Sequence, residues 1–121
     1  MEAIAKGKNL RISLKNSILL CKKIKGLKLS KAKKFLEDLI NQKISIQGKY
    51  YTKTAKEILK ILKEAEANAK YKNLDIEKLF IKIAKADKGE KIIRPGRMGI
   101  RHGKGYRLGK STHLEIVVIE R

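Results

Sequence analysis

A chain of 121 residues with 31 Lys and Arg against 12 Asp and Glu, net +19, has the length of one domain and far more positive charge than solubility asks. Its 42% apolar content speaks against wholesale disorder, and no apolar run nears the roughly 20 residues of a membrane span. Lys6, Lys8, Arg11 and Lys15 break the first apolar stretch, which excludes a secretory signal, and the single Cys21 excludes an internal disulfide and a cysteine-built zinc site.

In chain order, residues 2–12 read as a basic lead-in with a weak strand pattern at Asn9 to Ile12. Ser13 is placed to cap a helix that runs to Lys25 and stops at Gly26, with Leu14, Ile18 and Cys21 on its apolar face, flanked by Leu20 and Ile24. Ser30 is placed to cap a second helix with Ala32, Phe35, Leu36, Leu39 and Ile40 as its apolar set. Gly48 to Tyr51 reads as a loop. Thr54 and Glu57 form a capping-box pattern that opens the longest helix, to about Lys72, with Ala55, Ile58, Leu59, Leu62, Ala65 and Ala69 as core stripe. Asn73 to Lys78 is a turn in which Asp75 can cap a short helical segment. Two strands follow, Leu79 to Ala86 with Leu79, Ile81 and Ile83 on one face, and Thr112 to Glu120 with Leu114, Ile116 and Val118 on one face.

About 25 residues separate those strands, and residues 89–111 hold six of the nine glycines and seven basic residues. Loops of that length without structure of their own are uncommon in compact domains and are usually functional. The simplest architecture is one antiparallel hairpin with a long basic arm, rooted in a small helix-covered sheet. The arm lacks apolar alternation, so a partner is expected to order it.

Charge is uneven along the chain. Residues 1–34 carry eleven bases and one acid, residues 35–87 eleven and eight, and residues 88–121 nine and three. Four of the six arginines fall in the arm. Arginine forks grip phosphates and stack on bases, glycine permits close backbone approach, and Tyr106 and His102 offer rings to unpaired bases. The chemistry points to folded RNA.

Enzyme chemistry finds no support. His102 and His113 lack companions at metal-ligand spacing, and Cys21 reads as a small core hydrophobe. Gly105 to Ser111 resembles a nucleotide-binding glycine loop one residue short and followed by a β-rich run, so NTP binding is rejected. Glu64 and Glu66 lie on different faces of the long helix and read as solvated surface. A free-standing nucleic-acid chaperone would share the charge without needing one fixed arm. A membrane-surface module is disfavoured by helices with faces sized for a mutual core and by 5% aromatic content.

The opening AKGKNLRISLKNSILLCKKIKGLKLSKAKKFLEDLINQK, the segment AKEILKILKEAEANAKYKNLDIEKLFI, the basic hairpin and the closing Ser111-Thr112-His113-Leu114-Glu115-Ile116 together resemble, in order, the archaeal and eukaryotic ribosomal protein L-twenty-two family, L-seventeen in older eukaryotic naming. The resemblance covers essentially the whole chain. It implies an α+β fold, three helices packed on a small three-stranded antiparallel sheet with a long protruding basic hairpin at about 88–111, in one rRNA-binding domain spanning 1–121. It also implies a structural role in the large ribosomal subunit, with the hairpin lining the polypeptide exit tunnel and the globular part near the tunnel exit. Implied partners are large-subunit rRNA, neighbouring large-subunit proteins and the nascent polypeptide. No cofactor, small-molecule substrate or membrane is implied.

On that likeness the RNA-binding residues are Lys6, Lys8, Arg11, Lys15, Lys22, Lys91, Arg94, Arg97, Arg101, His102, Lys104, Tyr106, Arg107 and Lys110. The hairpin tip facing the tunnel is Pro95, Gly96, Arg97, Met98, Gly99, Ile100 and Arg101. Relatives usually carry a longer segment between the second and third helices, whereas residues 43–53 here are brief.

Overall fold

A computed structural model describes residues 2–46, 48–89, 92–95, 106–109 and 111–120, with 92–95 and 106–109 described by backbone alone. The elements run β1 (Glu2–Leu10), α1 (Leu14–Ile24), α2 (Leu29–Ile40), α3 (Thr52–Tyr71), a 3-10 turn (Ile76–Lys78), β2 (Leu79–Lys88), β3 (Ile92–Pro95), β4 (Tyr106–Gly109) and β5 (Thr112–Glu120). The expected α+β fold is present. β5 lies between β1 and β2, antiparallel to both. α1 packs on β2, α3 packs on β1 and β5, and α2 packs on α3.

β1 is longer and earlier than the lead-in pattern suggests. Its inward positions are Ala3, Ala5 and Gly7, all small and buried, alternating with exposed Glu2, Ile4, Lys6 and Lys8. Small residues have weak strand preference and give little hydrophobic signal. Here they suit a helix covering the strand that itself buries Ala65 and Ala69. Side chains from α3 and its C-cap also occupy β1's carbonyls: Asn68 Nδ2 donates to the Ile4 carbonyl (2.8 Å) and Lys72 Nζ to that of Glu2 (2.8 Å). An edge strand is thereby shielded from further pairing.

α1 begins and ends as expected. The Ser13 hydroxyl accepts from the Asn16 N–H (3.3 Å), and Gly26 takes a φ of +84° just past the helix. Its buried face, however, is Ser17, Leu20, Cys21 and Ile24, with Ile18 exposed. The Leu14–Ile18 stripe is rotated away from the sheet because the chain leaving α1 is tied to β2. Gly26 N–H donates to the Ile81 carbonyl (2.9 Å) and Ile81 N–H to that of Leu27 (3.0 Å).

That tie also explains why Ser30 is not a cap. Lys28, bridged to Phe80, is the last extended residue, so α2 starts at once with buried Leu29. α3 likewise starts two residues before the capping-box pattern. Tyr51 precedes it with φ +48°, its carbonyl already accepts from Ala55 N–H (2.8 Å), and Thr54 is buried inside the first turn. The turn before β2 is capped by Asp75, whose Oδ1 accepts from Glu77 N–H (3.1 Å).

β2 carries one bulge. Ile81 faces Val118 while Ile83 faces Val117, so Lys82 is the extra residue and every later side chain changes face. Ile83 is therefore exposed rather than buried, and Ala84 and Ala86 turn to the core instead.

Candidate nucleic-acid interface

The helix-free face of the sheet is read directly from the register. Ile4, Val117 and Ile83 form one row across it, and Lys6, Glu115 and Lys85 the next. Lys85 Nζ lies 3.0 Å from Glu115 Oε2 and 3.9 Å from Asp87, and Lys6 lies 3.9 Å from Glu115. Beside them Lys82 and Glu2 are 2.6 Å apart. The Lys82 hydrogen bond holds the Glu2 carboxyl below its usual range, and the Glu115 hydrogen bond raises the Lys85 ammonium. Contributions from Glu2 thus persist above the ordinary carboxylate range and fade as pH falls through its lowered value. This face is charge-balanced, and Lys6, an expected RNA contact, sits on it already partnered.

Other expected contacts stand apart. Lys8 and Arg11 are exposed at the end of β1 and in the bend after it. Lys15 and Lys22 line one groove of about 540 Å³, together with Lys49 and Tyr51 from the segment before α3. Among the described residues no carboxylate is paired with Lys15, Lys22 or Lys49. Lys49 and Tyr51 were not foreseen, because only the fold brings that loop against α1. Glu66, read as solvated, instead pairs with Lys33 at 2.6 Å and ties α3 to α2.

The arm grows out of the sheet. Pairing of β2 with β5 runs to Lys88 opposite Thr112, and Gly89 N–H still donates to the Ser111 carbonyl (2.9 Å). Pairing resumes one residue out of step, with Ile92 opposite Gly109, Arg94 opposite Arg107 and Pro95 opposite Tyr106. These four expected residues, Arg94, Pro95, Tyr106 and Arg107, are thus in paired strand positions. Lys91, Gly96, Arg97, Met98, Gly99, Ile100, Arg101, His102, Lys104 and Lys110 lie outside the described residues.

The arm's root is a joint of three residues reaching back to the end of β1 and the link that follows it. Ser111 Oγ hydrogen-bonds Asn9 Oδ1 (3.2 Å), buried Thr112 Oγ1 donates to the Ile12 carbonyl (2.9 Å), and His113 Nδ1 accepts from Asn9 N–H (3.0 Å). His113 is thereby structural, with Nδ1 unprotonated in this arrangement. A Cβ on Gly89 would run into Ser111 Oγ and lie 3.0 Å from the Ser111 backbone carbon and from Asn9 Oδ1. Gly89→Ala is expected to cost about 1–3 kcal/mol, as overpacking does, seen as a lower denaturation midpoint.

Cys21 offers no reactive thiol. It is buried, and desolvation pushes its pKa up to about 11.

Residues 5–119 match the family model described as ribosomal protein L22p/L17e. Similar proteins include one from Archaeoglobus fulgidus, 38% identical over 111 residues that cover 76% of this chain and 72% of that protein. Another, from Methanocaldococcus jannaschii, is 37% identical over 139 aligned positions, covering 98% of this chain and 87% of that protein. A third, from Methanopyrus kandleri, is 33% identical, covering 94% and 84%. Each is named large ribosomal subunit protein uL22. The 139 aligned positions exceed the 121 residues here, so the M. jannaschii protein carries residues this chain lacks. With the family model spanning nearly every residue and three relatives above 30% identity, this chain belongs to the ribosomal protein L22p/L17e family.

Proposed function

We propose that the chain is a structural, non-enzymatic constituent of the large subunit of cytoplasmic ribosomes, that it binds large-subunit rRNA as a single domain over 1–121, and that its arm at about 88–111 lines the polypeptide exit tunnel beside the nascent chain. Family membership supports the first part. The arm carries the rest. The β3–β4 ladder puts two arginines, Arg94 and Arg107, at paired register positions, and like charges in such a register weaken a ribbon that no anion neutralises. Phosphate supplies that anion, and rRNA supplies phosphate.

Affinity on this reading comes from phosphate neutralisation and specificity from shape, with no reaction at any residue. The chain should co-sediment with large subunits and survive a moderate-salt wash. A protein recovered mainly free, or stripped at low salt, would contradict the proposal. For single contacts, Arg97→Ala or Arg101→Ala should each lower the slope of log affinity against log salt by up to about one. An unchanged slope in a filter-binding titration would remove that residue from the phosphate contacts.

A further inference from the structure

The groove on α1 differs from the rest of the charged surface. On the helix-free face of the sheet, Lys6, Lys82 and Lys85 are all paired with carboxylates. In the groove, Lys15 and Lys22 project from a helix with no acidic residue, and Lys49 closes the opposite side. Among the described residues no carboxylate lines it. Its lining is not merely cationic, because it also includes Ile18, 37% exposed, with Leu19 and Tyr51. Ile18 belongs to the part of the α1 stripe that the fold turns away from its core, and Tyr51, at the N-cap of α3, packs partly against that core.

Three cations around an apolar and aromatic surface match one chemistry closely. Phosphates need the lysines alone, whereas a base can use the ring and the isoleucine only if it is unpaired, since a duplex buries its base faces in the stack. The volume of about 540 Å³ falls in the range of roughly 300–1,000 Å³ that holds small organic groups. Tyr51 also holds φ +48°, a conformation that a bulky residue seldom adopts.

We propose that this groove, between α1 and the start of α3, is a second RNA site, separate from the arm, that takes an unpaired nucleotide: Tyr51 and Ile18 contact the base, and Lys15, Lys22 and Lys49 contact the flanking phosphates. The inference rests on the RNA-binding reading and adds to it where single-stranded RNA is gripped.

The test uses the full chain with two probes, a decauridylate and a ten-base-pair RNA duplex, each titrated across a salt series. Tyr51→Asn removes the ring with a residue that tolerates positive φ, and Ile18→Glu places a carboxylate on the lining at an exposed helix position. Each should weaken decauridylate binding roughly 5- to 100-fold, the scale of one stacked base, and change duplex binding less than two-fold on that scale. Tyr51→Phe, which keeps the ring, should bind as the parent does. Lys15→Ala, Lys22→Ala and Lys49→Ala combined should lower the decauridylate salt slope by about two, and the charge-matched Lys60→Ala, Lys63→Ala and Lys70→Ala set by clearly less.

Parental decauridylate affinity in both Tyr51→Asn and Ile18→Glu, or an equal slope loss in the two lysine sets, would overturn the groove and leave the arm's role standing. A parent chain that binds neither probe would overturn the RNA-binding reading and the groove together.

Discussion

Replacing residues 94–107 with an Asn-Gly turn should leave the thermal transition of the chain in place and weaken its binding to large-subunit rRNA at least about 100-fold. The cut joins Ile93 to Leu108, which already face each other across the ladder, and a two-residue turn of that type closes such a pair without splaying the strands. Everything that holds the root stays: the Gly89–Ser111 hydrogen bond, the Ser111–Asn9 contact and the buried Thr112 hydroxyl on the Ile12 carbonyl. What is lost is Arg94, Arg97, Arg101, Lys104 and Arg107. The slope of log affinity against log salt should therefore fall by up to about four, which a filter-binding salt series reads directly. Loss of the thermal transition would show instead that the arm is part of the core. Retained affinity would place RNA binding elsewhere.

Ile116→Ala should cost about 3–5 kcal/mol, the upper part of the range for large-to-small core changes. Ile116 is fully buried on the middle strand and faces Ala5 on one side and Ala84 on the other. It is the one large side chain of that row, and neither alanine can swell to fill the space it leaves. Loss of that size is a large share of the roughly 5–15 kcal/mol that holds a domain together. In urea the midpoint should drop with the slope of free energy on denaturant unchanged, and a changed slope would indicate an altered unfolded or native ensemble.

Elements with local chemistry were legible in the sequence. Ser13 and Gly26 bracket α1 as read, Asp75 caps its turn, and the alternation of Leu114, Ile116 and Val118 marks the inner face of β5. Several misread details depend on contacts distant in sequence. Ser30 and Thr54 are plausible caps in isolation, yet both helices start earlier because Lys28 is bridged to Phe80 and Tyr51 already accepts the first helical hydrogen bond. Ile83 looked inward by simple alternation, and the bulge at Lys82 reversed it. β1 was faint because its inner residues are chosen for smallness.

The same division holds for the candidate interface. Arm residues were visible as a run of arginine and glycine, a compositional signal. The groove was not, because Lys15 and Lys49 are 34 positions apart and Tyr51 carries no local mark of being near α1. Asn9 escaped notice for the same reason, since its role at the arm's root depends on Ser111 and His113 from the far end of the chain.

The middle place of β5 has a consequence for how the molecule is made. During synthesis β1 emerges first, but the neighbour it pairs with begins at Thr112, about a hundred residues behind it. β2 waits for that same neighbour. No two strands of the three-stranded sheet can associate natively until β5 itself has been made, so the sheet cannot form while the helices are still being synthesised. Through that interval a strongly cationic, half-formed polypeptide carries unsatisfied strand edges in a cell full of polyanions, and rapid capture once β5 slots home is the step on which a productive outcome turns.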